Sequence, residues 1–465
     1  MYSSYSSLQQ SQLAAQGYYD TQSTYLLVYA PGRSTALRAT LADQLHRKFR
    51  LADTLGSALT EGVDGVLLVS EDVECMSTAL MCFAKALQDG ADYAVCNAVF
   101  GFGGATALYQ SRAHLAQNRC ALVSRPLLER CRAAAKDPEN VTELLALAAQ
   151  FCAHPARIPQ ALLHYERDIC AEDAFSATGK RAFLMSHVLD MTGAPIVLVS
   201  AVPVLRSMGY EVVVLGPSDG GALQLFVDAG AAVITRPGIR ATPNLWGLAL
   251  CTDLVLVNTV VMARTVRALS GTAVPVLWWL HDAFAGYPHI AHQIPTKLAE
   301  NVRLYSVGHH AANAMHAVRP DFQIGQLIYG LPDYAAEDFP RCDLGYPADK
   351  PLFATVGSFE RRKGHDIFCA AIRLLPEEVR NKATFLFVGM AADKEMMDAV
   401  RSLTTDCPEN VFYCKRLSRD EIKNLMEQCT CLVCASRDDP MPTFVTEGLI
   451  FGKPSIVSEH TGTAG

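Results

Sequence analysis

The chain has 465 residues, which at roughly 100–200 residues per domain gives two to four domains, each able to bury a core. Half of it is hydrophobic, 19% is charged and the formal net charge is −7, which excludes a largely disordered chain. With no concentrated Lys/Arg run it also excludes a nucleic-acid partner. No apolar run reaches the ~18–20 residues of a membrane span, so at most peripheral membrane association is expected.

Residues 1–22, "MYSSYSSLQQSQLAAQGYYDTQ", are rich in Ser, Gln and Tyr without periodicity, and are expected to form a flexible lead. The next region, 23–175, alternates strand and helix patterns. "TYLLVYA", "DGVLLVSEDVE", "ADYAVCNAVF" and "ARIPQALLHYERD" read as strands. "TALRATLADQLHRKF", "MSTALMCFAKALQDG" and "NVTELLALAAQFCA" carry helical spacing, and "CALVSRPLLERCRAAA" steps from strand to helix. "GFGG" at 101–104 lacks the last glycine of a dinucleotide fingerprint and reads as a loop.

A second region, 180–340, opens with "RAFLMSHVLDMTGAPIVLVSAVPVLRSMGYEVVVLGPSDG". This is strand, loop with Gly193, helix and strand, a βαβ unit that requires a right-handed crossover. "AAVITRP", "TDLVLVN", "PVLWWLHD" and "VRLYSVG" supply further strands. The third region, 345–465, repeats the pattern in "PLFATVGSF", "ATFLFVGM", "NVFYCKR", "CTCLVCAS" and "KPSIVSE". The fold class expected is α/β, with parallel sheets that bind ligands at the carboxyl ends of their strands.

Two stretches carry chemistry. In "VGSFERRKGHD" a strand ends at Gly357 and the basic turn Arg361, Arg362, Lys363 leads into a helix. Cations beside free helix N–H groups suit a diphosphate, although a solvated basic turn has the same composition. In "RDDPMPTFVTEG" Asp439 lies in the loop after a strand and Glu447 about two turns further on. Ionised carboxylates accept strong hydrogen bonds from sugar hydroxyls, although two acids at this spacing also suit a solvated face.

The string "VGSFERRKGHDIFCAAI … FLFVGM … SRDDPMPTFVTEGLIFGKPSIVSEHTGTAG" resembles the donor domain of a family 4 glycosyltransferase of the GT-B fold. The family's Glu-x7-Glu motif appears as Asp439-x7-Glu447. "MTGAPIVLVSAVPVLRSMGYEVVVLGP" resembles its acceptor domain, and "VPVLWWLHD" its strand ending in a cleft histidine, here His281. The resemblance implies a transferase moving a sugar from a nucleotide-sugar donor to a glycan or lipid-linked acceptor, with retention. It implies that Lys363 neutralises the donor diphosphate with Arg361 or Arg362 as helpers. Glu447 would hold the ribose and Asp439 the donor sugar, while Thr192, Gly193, Thr461 and Gly462 lie near the diphosphate. His281 would face the acceptor or donor sugar. Ser358 stands where the family has an arginine. No metal or cofactor is implied for this part, since fixed cations and helix dipoles stabilise the leaving group. A further strand and helices would follow "TGTAG", so the resemblance also implies a chain that stops within its donor domain.

The first region resembles the later half of a family 2 (GT-A) glycosyltransferase. The metal-binding Asp-x-Asp of that family falls at Ser70-Glu71-Asp72, with its first Asp absent. Asp72 with Glu71 or Glu74 is the set the resemblance would offer to Mg2+ or Mn2+ if that domain is active. Glu143 takes the place of the catalytic base, and a reduced or truncated domain is expected. Cys431 and Cys434 have ligand spacing without a second pair and read as buried thiols rather than a zinc site. His281, His289 and His292 match no standard metal spacing.

Fifteen cysteines without a framework and no secretory leader pattern suit a reducing compartment. Together with the resemblance this implies a cytoplasmic enzyme, at most at the inner face of a membrane, in polysaccharide or cell-envelope synthesis. The alternatives are a non-catalytic nucleotide-sugar or glycan-binding protein and a GT-B phosphorylase, the latter without a recognisable pyridoxal phosphate lysine.

Overall fold

The structure, a computed structural model, describes residues 21–32, 35–56, 59, 62–102, 105–110, 119–175, 179–218, 220–239, 247–347 and 349–464. The chain divides into two compact units, Met1–Asp190 with Val202–Val255, and Met191–Ala201 with Leu256–Gly465.

In the first unit the strands run in the order Phe49–Ala52, Leu26–Tyr29, Gly65–Val69, Cys120–Ser124, Tyr93–Phe102, Ala105–Gln110, Ala232–Thr235, Tyr210–Gly216 and Lys180–Met185. Leu26–Tyr29 pairs in parallel with both its neighbours, whereas Cys120–Ser124 runs antiparallel to Gly65–Val69. The strands LLVY, GVLLV and CALVS are buried at every position, which is why they read as continuous apolar runs rather than alternations. Helix Arg125–Ala134 starts where the Ser124 hydroxyl accepts the Leu127 N–H, with Pro126 in its first turn. Leu27, Tyr29, Val66, Leu68, Val123, Leu128 and Leu144 share one core.

Several readings change here. The helical spacing from Thr35 to Phe49 is used only over Thr35–Leu41. Beyond it the Gln44 amide donates to the Met76 carbonyl at 2.8 Å and the Leu45 N–H to that of Ser77 at 2.8 Å. These tertiary bonds outweigh helix propensity, and Phe49–Ala52 becomes the edge strand. Gly101 and Phe102 are strand, paired with Thr106 and Ala105, while positions 103–104 of that loop lie outside the described residues. Positions 1–20 of the flexible lead also lie outside them; Thr21 is fully buried and bonds His46 at 3.0 Å. The opening strands of the βαβ unit, Lys180–Met185 and Tyr210–Gly216, are parallel as expected, with helix Gly193–Ser207 between them and Gly209 at φ 86° closing that helix. Ala232–Thr235 pairs antiparallel with Ala105–Gln110. This compact unit therefore runs across the change of region read at 175–180.

The second unit contains two sets of hydrogen-bonded strands. One places Ile324–Gln326, Val302–Ser306 and Val276–Leu280 side by side in parallel. The other is all parallel, in the order Val411–Cys414, Thr384–Val388, Leu352–Val356, Cys431–Cys434 and Ser455–Val457. Along Thr384–Val388 the side chains alternate between two cores. Phe385 and Phe387 join Phe359, Phe368 and Met397, while Leu386 and Val388 join Leu425, Leu432 and Phe444. Cys431 and Cys434 are buried in this sheet, as read from the sequence, and all fifteen cysteines are free thiols. Among the described residues no helix is long and apolar enough to cross a membrane.

Candidate donor site

The site of the second unit grows from strand ends. Strand Leu352–Val356 is followed by Gly357 at φ 154°, the short turn Arg361–Lys363 and Gly364 at φ 69°. A Cβ on Gly364 would lie 1.9 Å from the Ala435 carbonyl oxygen. Glycine is therefore needed twice over, for the left-handed backbone and for the approach of the neighbouring strand's end. That approach delivers Lys363 Nζ to within 2.6 Å of Asp439 Oδ2. Asp439 is buried, 3% exposed, and the Ser436 hydroxyl donates to the same oxygen at 3.5 Å.

Thr461 and Gly462 belong to the same cluster. Asp439 and Thr461 form a parallel bridge, with the Asp439 N–H on the His460 carbonyl at 3.1 Å and the Gly462 N–H on the Asp439 carbonyl at 2.9 Å. A Cβ at Gly462 would meet the Pro440 carbonyl oxygen at 1.7 Å, so only glycine lets the two loops lie this close. Glu447 is the fifth residue of helix Thr443–Ile450 and is also buried. Its Oε1 accepts from Arg419 at 2.8 Å, and the Arg419 guanidinium lies 4.4 Å above the Tyr334 ring. Burial raises the Glu447 carboxyl above its ordinary range, and Arg419 offsets part of that shift.

The three basic residues separate. Lys363 reaches the motif carboxylate. Arg362 pairs with Glu360 at 2.7 Å, and exposed Arg361 lies 3.5 Å from Glu395. Ser358, in the arginine's place, hydrogen-bonds Glu360. Thr192 accepts the first bond of the helix opened by Gly193, from the Ile196 N–H at 3.2 Å. A Cβ on Gly193 would sit 3.6 Å from Thr443 Cγ2, at the start of the helix that carries Glu447. His281 follows strand Val276–Leu280 and packs against Trp279, ring centres 4.6 Å apart. Its neighbour Asp282 accepts the Val260 N–H at 2.6 Å, and burial pushes that carboxyl up to about 6. His289 and His292 are exposed.

Sequence reasoning missed Arg419, Tyr334, Glu360 and Asp438. Arg419 had a usable signal. "SRDE" is a capping box, in which the Ser418 hydroxyl accepts the Glu421 N–H and Glu421 accepts that of Ser418. The motif therefore marked Arg419 as the first residue of a helix after the strand Val411–Cys414.

The acids of the first unit have other partners. Asp72 accepts from the Thr35 hydroxyl and from the Ala36 and Leu37 N–H groups, each at 3.1 Å, at the start of helix Thr35–Leu41. Burial would raise its pKa, but these bonds win and lower it. Glu71 pairs with Arg167 at 2.7 Å, and Glu74 with His164 at 2.6 Å. Arg167 also grips buried Asp173 through two bonds of 2.6 and 2.9 Å. Glu143 receives the Lys136 and Asp137 N–H groups at 2.8 and 3.2 Å. A divalent ion needs converging oxygen donors. Glu71, Asp72 and Glu74 instead serve three separate partners, and no group of three His, Cys, Asp or Glu side chains suited to a metal occurs among the described residues. The donor set does not fit Mg2+ or Mn2+.

Two family models match the chain, "Glycosyl-transferase family 4" over residues 178–316 and "Glycosyl transferases group 1" over residues 338–465. A search of curated protein sequences gives no match. Among solved structures, Anabaena HepE in complex with UDP and glucose is similar at 15% identity and a TM-score of 0.48, over 61% of this chain and 82% of that one. Sucrose-phosphate synthase from Thermosynechococcus elongatus is similar at 15% identity and 0.46, over 61% and 82%. WaaG, a glycosyltransferase involved in lipopolysaccharide biosynthesis, is similar at 17% identity and 0.46, over 61% and 82%.

Proposed function

We propose that this chain, a glycosyltransferase with a family 4 domain followed by a group 1 domain, moves a sugar from a nucleotide-sugar donor to a hydroxyl of a glycan or lipid-linked acceptor. The observation that carries the reading is the 2.6 Å pair between Lys363 and buried Asp439, bridged to the Thr461–Gly462 turn. In transfer, the bond from the anomeric carbon to the diphosphate oxygen breaks and a bond to the acceptor hydroxyl forms. The acceptor's proton leaves with the diphosphate. In this reading Lys363 neutralises the charge that develops on the leaving diphosphate, the kind of fixed electrostatic assistance that contributes most to such reactions. Asp439 then accepts from donor-sugar hydroxyls and Glu447 from the ribose, each ionised acid acting as acceptor only. Thr192, Gly193, Thr461 and Gly462 supply close backbone, His281 faces the reacting sugars, and Arg361 and Arg362 are secondary cations.

Retention of configuration, a cytoplasmic setting that extends at most to the inner membrane face, and a place in polysaccharide or cell-envelope synthesis complete the proposal, on the family resemblance. The first unit is read as a family 2-like remnant in which Asp72 and Glu143 are structural. No step of the proposed reaction uses a metal.

A second reading, a non-catalytic nucleotide-sugar or glycan-binding protein, is favoured by one observation. Arg362 and Arg419 each already have a carboxylate partner within the chain. Donor hydrolysis separates the two. The transferase hydrolyses or transfers donor sugar, and Lys363→Ala and Glu447→Ala abolish it. Activity indifferent to both substitutions sinks the site assignment. Added inorganic phosphate should yield no sugar phosphate, which a phosphorylase would form.

A further inference from the structure

We infer that Asp438 is a positioning residue for this reaction, holding the turn after His281 against the loop that carries Asp439. The inference rests on the transferase reading above. The Asp438 carboxylate receives three donors. The Ala285 N–H reaches Oδ2 at 2.8 Å, the Phe284 N–H reaches Oδ1 at 3.2 Å, and His310 Nε2–H donates to Oδ1 at 2.7 Å. The Asp438 and His310 side chains are only 13% and 15% exposed. The Phe284 ring stands edge-on to His310 with centres 5.2 Å apart. Charge-assisted bonds to consecutive backbone N–H groups are directional, and salt screens them little when partly buried.

The other side of the same loop is also fixed. The Arg437 and Asp438 N–H groups donate to the Arg362 carbonyl at 2.7 and 3.3 Å. The Arg437 guanidinium grips Asp366 at 2.8 and 2.7 Å, at the start of helix His365–Leu374. One short loop is thus pinned to the basic turn by its backbone and to Phe284–Ala285 by Asp438. Asp439 is the next residue along, and His281 precedes Phe284 by three positions. Asp438 therefore sets the distance between Asp439, read as meeting the donor sugar, and the turn after His281, read as facing the reacting sugars. A 1 Å error in such a distance costs up to about a hundredfold in rate.

The test is steady-state turnover of whichever UDP-, GDP- or dTDP-sugar the wild type hydrolyses, with melting curves for every variant. Asp438→Ala should lower kcat roughly ten- to a hundredfold while leaving the donor KM within about threefold, because the diphosphate and ribose contacts read for Lys363 and Glu447 remain. Asp438→Asn should recover part of the loss, since its carbonyl oxygen still accepts an N–H. His310→Gln, which keeps a donor, should exceed His310→Ala. If Asp438→Ala melts too low to assay, Asp438→Asn and His310→Ala decide by the same split of kcat from KM. Wild-type kcat in the folded Asp438 variants overturns the inference, as does a rise in KM alone. With Glu447→Ala inactive in the same assay, either result leaves the transferase reading standing. A wild type that turns over no donor overturns both.

Discussion

Acidic side chains serve the two units differently. In the first unit Asp72 and Glu143 are bound mainly by backbone N–H groups, and Glu71 by Arg167. In the second, Asp439 and Glu447 are buried against side-chain cations, Lys363 and Arg419. A backbone N–H cannot swing away without unfolding a helix end or turn. A lysine or arginine can exchange one anion for another, so a diphosphate can take the cation and leave the carboxylate to accept from a hydroxyl. On this contrast the backbone-bound acids are structural caps and the cation-paired Asp439 and Glu447 are the proposed ligand site.

The largest effect should separate the two sets directly. Lys363→Ala and Glu447→Ala are expected to reduce donor turnover by about a hundredfold or more. Asp72→Ala and Glu143→Ala should stay within about twofold in the same assay. Next comes Arg419→Ala, which leaves Glu447 buried without its cation. Because Arg419 is 39% exposed, solvent screening discounts the loss to roughly 1–3 kcal/mol in denaturant titration. Burial already raises the Glu447 pKa, so its ionised form is the one that needs Arg419. The deficit should therefore be larger at pH 8 than at pH 5, where more of the acid is protonated.

Asp282 sharpens the comparison from within the second unit, because there burial dominates the carboxyl and raises it from 3.8 to about 6. An acid raised on folding contributes stability that is fully present below its unfolded value and is lost as pH rises through about 6. Asp282→Asn should flatten that decline between about pH 4 and 6 and raise stability at pH 7 by roughly 1–3 kcal/mol, read by pH-dependent melting. The smallest effect belongs to the first unit, where Asp72→Ala should cost about 1 kcal/mol as a lost helix cap. Its pKa is lowered on folding, so the contribution is present above the ordinary carboxylate range and is lost as pH falls through the folded value. Added Mn2+ should shift the melting temperature of neither wild type nor variant.

Much of this architecture was legible in the sequence because it depends on local pattern. Buried strands such as GVLLV and LLVY are unbroken apolar runs, and Gly193, Gly357 and Gly364 stand at the strand-to-helix joints. The neighbourhood of Lys363, Asp439, Thr461 and Gly462 was legible only through motif order, since the contact that joins them spans 76 residues. The partners of the carboxylates were not legible. Nothing local to Glu447 indicates Arg419, 28 residues before it, or shows that Asp438 meets His310 at a separation of 128. The shortened helix at Leu41 failed for the same reason, since its competitor is the distant Met76 carbonyl.

The most direct measurement is thermal melting of wild type and Glu447→Ala against UDP-, GDP- and dTDP-linked sugars. Ligand that binds only the folded state raises the melting temperature by mass action, by about 2.7 kcal/mol of stability at a hundredfold excess over Kd. One nucleotide class should shift the wild type, and the shift should vanish in Glu447→Ala. No shift with any donor, or an equal shift in both proteins, contradicts the donor site built on Lys363, Asp439 and Glu447.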